Sequence, residues 1–516
     1  MMALVISVIA TYVSLEKGWI LAYGDTESHL NIAKRVIDSL TPGMAQLGGI
    51  WLPVPHLFLV PFVYFDALWR TGLAGAIVSG LAYIFSSLFI YKISYLVTKN
   101  KPSSILVFLV FALNPNVLYL QSTAMTEMPL IAFFTASSYY FLKYILEGEN
   151  ILDLIFAAFF GFLATLSRYD GWFLVVVEAG SLIILQVSKL GFRWPFNFSE
   201  VKEKYSELEG KLILFSTMAL LGIVLWLAWD LIILGDPLYF THSQYSANSQ
   251  QQSWLARGEL PAYHNLILSV TYYLFTSLSN VGYYVFGIAL IGLLLFVLNS
   301  RLKHRYLLLL VLSAPVLFNI LTLFLGQSVI FIPPLTPSTF EWQLFNTRYG
   351  VMALPLVALF FGYAFYRLKN FAKVFLIVGL VFQIFLFISG TLPVISLQDG
   401  LTGLSSAKHP EAQDWLAKNY DGGMVLLDDY ARTVSIIKTG LPMKDVIYVG
   451  NKPYWAQSLV EPQKYARWIV MQKGDTVWNT IYDDETLRGR LFKYFQKVYT
   501  SNEILIFKRA PGISES

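Results

Sequence analysis

The sequence predicts an α-helical polytopic membrane protein that ends in a soluble α/β domain. Three observations carry this. Of 516 residues, 56% are hydrophobic and 14% charged, and the mean hydropathy is +0.56, whereas a soluble domain carries about 25% charged residues. Long apolar runs recur over the first three quarters of the chain, each near the length that crosses a hydrocarbon core about 30 Å thick. Beyond residue 396 the charge rises and the apolar runs shorten to strand length. The chain is too long for one overgrown soluble core. A soluble enzyme, a disordered chain and a disulfide scaffold are thereby excluded. The absence of cysteine removes disulfides, thiolate metal sites and thiol catalysis. The net charge of +4 gives no argument for nucleic acid.

About eleven spans follow from the apolar runs, near 2–22, 72–97, 103–119, 126–146, 151–167, 171–188, 212–234, 277–298, 307–325, 349–366 and 374–394. Glu16 and Lys17 interrupt the first. A cleaved signal peptide is its alternative, but no basic n-region opens the chain and no small-residue cleavage site precedes the polar loop. Basic residues gather in alternate loops: Lys92, Lys99 and Lys101; Lys189, Arg193, Lys202, Lys204 and Lys211; Arg301, Lys303 and Arg305; Arg367, Lys369 and Lys373. The positive-inside rule puts these in the cytoplasm, the N-terminus inside and the C-terminus outside. The 147–153 turn, with Glu147, Glu149 and Asp153 beside Lys143, runs against the trend.

In the tail, Val425–Leu427, Val446–Val449, Trp468–Met471 and Ile504–Phe507 read as buried strands, the last after a turn at Ser501-Asn502. Helices fit near 410–419, 430–438 and 485–496. The domains are thus 1–395, transmembrane, with a first outer loop over about 24–70, and 396–516, an extracytoplasmic α/β domain.

With this orientation the suspicious polar residues fall on the outer side. The first outer loop opens with Tyr23-Gly24-Asp25-Thr26-Glu27-Ser28-His29. Carboxylates at a span end are costly and commonly functional. The plain alternative is capping, with Asp25 as N-cap of a helix 28–40. The loop is long for a connector and runs on through Trp51-Leu52-Pro53-Val54-Pro55-His56. Such a loop can roof a site at the membrane surface. Thr126-Glu127-Met128-Pro129 opens the fourth span, where Pro suits a first turn and Glu the positive dipole end; its functional alternative is a second carboxylate facing the first loop. Ser167-Arg168-Tyr169-Asp170-Gly171-Trp172 makes a short outer turn in which Arg168 and Asp170 can pair, and an arginine there holds a phosphate well. Asn346-Thr347-Arg348-Tyr349-Gly350 opens the tenth span. A basic residue there opposes the helix dipole, so Arg348 needs an anionic partner, either a carboxylate or a ligand phosphate. Asp230, Asp236 and His242 flank a Gln/Ser/Asn-rich outer loop at 241–253, and Glu178 sits mid-span, needing a partner. There is no P-loop, HExxH, GxSxG or dinucleotide fingerprint.

Taken together, these outer pieces resemble the GT-C superfamily of integral membrane glycosyltransferases. The likeness is to the branch of protein O-mannosyltransferases and aminoarabinose transferases, with the texture of archaeal members. It rests on Asp25-Thr26-Glu27 in a long first outer loop, Glu127-Met128-Pro129-Leu130 at a later span, Arg348-Tyr349 through Leu354-Pro355, and an exterior C-terminal domain. It covers spans one to ten in order. The first-loop pair is Asp-x-Glu where the branch has adjacent Asp-Glu. The tail does not resemble an inserted β-trefoil, and no Trp-Trp-Asp-Tyr-Gly signature of the oligosaccharyltransferase branch occurs.

The resemblance implies a hexosyltransferase that moves a mannose-like sugar from a polyprenyl- or dolichyl-phosphate donor to an acceptor hydroxyl, with inversion, at the outer face of the membrane. It implies Asp25 as general base, with Glu27 or Glu127 orienting the acceptor or raising the base's pKa. Arg348, then Arg168, with Tyr349, would hold the leaving phosphate. Asp170, His56 and His29 would line the acceptor and sugar side. No cofactor is required; a divalent cation on Asp25, Glu27 and His29 is the alternative. The partners are the lipid-linked donor, the bilayer and a protein, glycan or lipid acceptor. A transporter or flippase is the competing class, against which stand the missing internal repeat and the gathering of polar residues at one face. A glycan- or lipid-binding accessory subunit is a third.

Overall fold

The computed structural model describes residues 1–190, 198–244, 246–404, 406, 409–429 and 434–511, with 189–190, 198–205 and 207 described by backbone alone. Arg193, the side chains of Lys189, Lys202 and Lys204, and positions 430–433 of the predicted helix 430–438 therefore lie outside the described residues. The chain is mostly helical, carries one small sheet, and divides into two units.

One unit comprises Met1–Ile20, Gly49–Pro55 and Gly75–Leu404. Each predicted apolar run overlaps a helix or two consecutive helices, but the first helix stops at Glu16 and the last at Ile388, short of the expected 22 and 394. Among the described residues, four helices are long and apolar enough to cross a membrane: Leu73–Thr98, Asp170–Ser188, Thr347–Arg367 and Asn370–Ile388. Counting each bent pair as one span raises this to seven. Shorter apolar helices include Met2–Glu16, Lys101–Ala112 and Ile151–Thr165.

The bends have local causes. The run 103–119 is not one helix, because Asn114 caps a new helix over Pro115–Leu120, its Oδ1 accepting from the backbone of Asn116 and Val117, and the residue before a proline resists helical geometry. The run 277–298 turns by 116° between Leu266–Val281 and Tyr283–Val297. Gln383 repairs the backbone there. Its Oε1 accepts from Tyr284 N at 2.9 Å and Val285 N at 3.1 Å, and its Nε2 donates to the Val281 carbonyl at 3.0 Å. A break among apolar helices needs such repair, since lipid offers no partner for freed backbone groups. Glu178 has the partner it needs: its two carboxyl oxygens lie 3.0 and 2.9 Å from Ser137 Oγ.

The second unit comprises Leu21–Gly48, His56–Ala74 and Ser405–Ser516. Its sheet contains β1 (Val425–Leu427), β2 (Val446–Ile447), β3 (Trp468–Gln472), β4 (Phe495–Thr500) and β5 (Ile504–Arg509) in the order β2-β1-β3-β5-β4. The first three are parallel, and β5 runs antiparallel to β3 and β4. Leu426, Ile447, Ile469, Met471, Leu505 and Phe507 carry its core. Two sequence expectations are corrected. The helix predicted over 485–496 stops at Tyr494, and Phe495–Thr500 pairs with β5 as a strand the sequence did not signal. The helix predicted over 28–40 spans Gly24–Ile37, so Asp25 and Glu27 lie inside its first turn and Tyr23 holds the cap position. Two carboxylates there suit the positive end of the helix dipole.

The helix Gly24–Ile37 is tied to the tail segment of its unit. Arg35 pairs with Asp429 and stacks on Tyr448, its guanidinium 3.7 Å from the ring centroid. Tyr448 also donates to Gln46 Oε1. Gln46 Nε2 in turn reaches the Gly450 carbonyl at 3.3 Å, and Asn451 Nδ2 donates to Thr41 Oγ1 at 2.9 Å.

Candidate active site

Five of the residues singled out in the sequence meet in the first unit. Glu127 begins the helix Glu127–Leu146 and is fully buried. Its Oε1 accepts from Arg168 Nη1 at 3.2 Å and from Arg348 Nε at 3.1 Å. Arg168 stands in the turn before the helix Asp170–Leu190. Its Nη1 also donates to Thr126 Oγ1 at 3.0 Å, and its Nε to Asp170 Oδ2 at 3.1 Å. Asn319 Nδ2 holds the other oxygen of Asp170 at 3.2 Å. The two guanidinium carbons each lie 5.1 Å from the ring centroid of Tyr349, within cation–π range.

The anionic partner required by Arg348 is therefore the carboxylate of Glu127. Burial works against the charge of Arg168, but Asp170 and Glu127 outweigh it and hold the guanidinium above the usual arginine value. Arg168, Arg348, Glu127 and Asp170 bring together two guanidiniums and two carboxyl groups. Glu127 Oε2 is buried and has no hydrogen-bond partner among the described residues. A carboxylate shared through one oxygen fixes two planar forks side by side, the arrangement that grips a phosphate.

The other four residues lie in the second unit. Asp25 is 9% exposed in the first turn of its helix. Glu27 is differently placed: Oε2 accepts from Ser435 Oγ at 2.5 Å and Oε1 from Ile437 N at 3.1 Å. Burial raises the Glu27 pKa above its ordinary value, against the pull of these two bonds. His29 Nδ1 and His56 Nε2 are 2.8 Å apart, and both rings are buried. Among the described residues no three of His, Asp and Glu gather as a metal-ligand set. With both its oxygens engaged by Ser435 and Ile437, Glu27 does not fit the cation site expected on Asp25, Glu27 and His29.

The sequence did not point to Asp399, Asn280 or Ser396, which hold the turn bearing Arg348. Asp399 follows the last apolar run by a few residues and reads as the opening of the soluble tail. Its signal was only that of an acidic residue near a span end.

No protein-family model and no curated protein matches the sequence. The fold does have solved counterparts. ArnT from Cupriavidus metallidurans, bound to undecaprenyl phosphate, superposes with a TM-score of 0.56 at 11% identity, covering 98% of each chain. Its apo state gives 0.54 at 10% identity, with the same coverage. The fold is the GT-C fold. The archaeal oligosaccharyltransferase AglB from Archaeoglobus fulgidus, in complex with an inhibitory peptide and a dolichol-phosphate, aligns at a TM-score of 0.47 and 12% identity, over 99% of this chain and 74% of that one. Within its GT-C fold this chain supplies, at the starts of two helical segments and at one tight turn, the two arginines and the carboxylate just described.

Proposed function

We propose that this protein is a polyprenyl-phosphate-sugar-dependent glycosyltransferase of the membrane. It would move a mannose-like hexose to an acceptor hydroxyl at the extracytoplasmic face. The observation that carries the reading is the buried convergence of Arg168 and Arg348 on one oxygen of Glu127. Two fixed guanidiniums in a desolvated site are what a departing phosphate needs. The likeness in fold to a protein solved with undecaprenyl phosphate supports the choice of donor class. The proposed organisation is a transmembrane body of residues 1–395, with about eleven crossings, and an exterior domain of 396–516.

In this mechanism Asp25 accepts the proton of the acceptor hydroxyl. The acceptor oxygen attacks the anomeric carbon from the face opposite the phosphate. The carbon–oxygen bond to the phosphate breaks, its electron pair stays on the phosphate, and the configuration inverts. Arg348 and Arg168 neutralise the charge that develops, with Tyr349 beneath both. Asp170 keeps Arg168 oriented. Glu27 fixes the helix that carries Asp25. His29 and His56 stand in the same unit as Asp25, on the acceptor side.

The test is transfer from a panel of radiolabelled dolichyl- and undecaprenyl-phosphate hexoses by the full chain in nanodiscs, with a mixed acceptor pool. Asp25→Asn should abolish transfer while undecaprenyl phosphate still binds. Arg348→Ala should weaken that binding by about tenfold or more, the size of one lost charge-assisted contact. Unimpaired transfer by Asp25→Asn would remove Asp25 from the chemistry. Absence of transfer from every donor by the wild type would remove the reaction class.

A further inference from the structure

The turn that carries Arg348 is held in place by buried polar groups around Thr347. Residues Thr347–Ala353 form a 3-10 turn that leads into the helix Leu354–Arg367. Asn346 enters it in the left-handed region, φ 55°, and its Nδ2 donates to the Val329 carbonyl at 2.9 Å. Short polar side chains tolerate that conformation best. Asp399, in the helix Ile395–Thr402, meets the next residue twice. Its Oδ2 accepts from Thr347 N at 2.9 Å and from Thr347 Oγ1 at 3.1 Å.

A second arm comes from Asn280. Its Nδ2 donates to the Thr347 carbonyl at 2.7 Å, its Oδ1 accepts from Ser396 Oγ at 2.8 Å, and its own carbonyl accepts from Asn114 and Asn116. Ser396 N closes the ring on Asn116 Oδ1 at 2.9 Å. At Gly350 a β-carbon would stand 2.5 Å from the Thr276 carbonyl oxygen and from Asn280 Nδ2, so the turn lies flat on this scaffold. Asp399, Ser396, Thr347 and Asn280 are all at most 1% exposed.

A neutral cap would close such a turn. A buried carboxylate is costly unless a positive group faces it. The residue next to the one it grips is Arg348. We infer that Asp399 is a positioning residue for Arg348: gripping Thr347 from one side, with Asn280 on the other, it fixes the rotation of the turn and so the direction of the guanidinium toward Glu127 and the donor phosphate. This rests on the proposed role of Arg348 and names a residue outside the set of arginines and carboxylates at the site itself.

The test measures binding of undecaprenyl phosphate to the full chain in nanodiscs, for Asp399→Ala, Asp399→Asn, Thr347→Val and Arg348→Ala, alone and with Arg348→Ala as background. Asp399→Ala should weaken binding by about tenfold. Asp399→Asn, which keeps an acceptor for Thr347 N, should return it to within about threefold of wild type. In the Arg348→Ala background, Asp399→Ala should cost nothing further, because a residue acting through Arg348 has nothing left to position. Should Asp399→Ala not fold, Thr347→Val replaces it and is read the same way. Undiminished binding by the folded variant, or an equal loss with and without Arg348, overturns the inference alone. No loss in Arg348→Ala itself overturns the phosphate role of Arg348, and the inference with it.

Discussion

The hydroxyl of Ser435 donates to the carboxylate of Glu27 at 2.5 Å across a separation of 408 residues. A carboxylate that looked like half of an acidic motif thus helps hold its helix to the tail. Glu27→Gln should keep the helix docked, since its amide oxygen still accepts from Ile437 N and its NH2 can donate to Ser435. Glu27→Ala should release it, seen as faster hydrogen exchange over 24–37. The pKa of Glu27 is raised above 4.5 by burial. The docking it supports is therefore complete below pH 4.5 and weakens as the pH climbs through the folded-state value. Glu27→Gln should flatten that slope. Loss of transfer in Glu27→Gln with exchange unchanged would instead put Glu27 in the chemistry.

Neutralising Glu127 tests the arginine pair. Glu127→Gln keeps an acceptor for both forks but leaves two positive charges, so undecaprenyl phosphate should bind several-fold tighter, about 1 kcal/mol. Glu127→Ala removes the carboxylate that two buried guanidiniums share and should cost about 3–5 kcal/mol in stability. Thermal unfolding beside lipid-phosphate titration distinguishes the two. Weaker binding by a folded Glu127→Gln would show that the negative charge itself keeps the pair in place.

These contacts show how far the sequence was legible. The need of Arg348 for an anion followed from its place at the start of a helical segment, and the Arg168–Asp170 pair followed from adjacency. The choice of Glu127 as the anion did not, because it depends on where the helix Glu127–Leu146 and the turn Thr347–Ala353 meet. The apolar runs gave the helices, but not the bend at Gly282, which depends on Gln383 from a helix about a hundred positions later. Strand β4 was missed for a similar reason. Phe495-Gln496-Lys497 carries no strand pattern of its own and is a strand because β5 pairs with it.

In the second unit, burial lifts Asp475 to about 6, against the bonds it accepts from the backbone of Trp478 and Gln472. Its charged form therefore costs stability that the protonated form does not. Unfolding free energy should fall between about pH 4 and 7, by up to about 3 kcal/mol from this group. Asp475→Asn should flatten this part of the curve, measured by urea unfolding of the tail's tryptophan signal. An unchanged curve would assign the pH dependence elsewhere.

Helix packing offers a separate test. At Gly292 a β-carbon would stand 1.8 Å from the Phe360 carbonyl oxygen. Helices Tyr283–Val297 and Leu354–Arg367 approach this closely because the residue is small. Gly292→Ala should force them apart at a cost of about 1–3 kcal/mol, read as a lower thermal midpoint in detergent. An unshifted midpoint would mean that the interface absorbs a methyl group there.

The second unit joins residues from both ends of the chain, and this has a consequence in time. A ribosome adding about 5–20 residues per second needs roughly 20–80 s to travel from Glu27 to Ser435. Over that interval the helix bearing Asp25 has been made and its partners have not. Arg35 waits equally long for Asp429. Until then the helix Gly24–Ile37 exists without the tail residues that hold Glu27 and Arg35 in the finished unit. A tail that arrives late, truncated or misfolded would leave the earlier work unfinished.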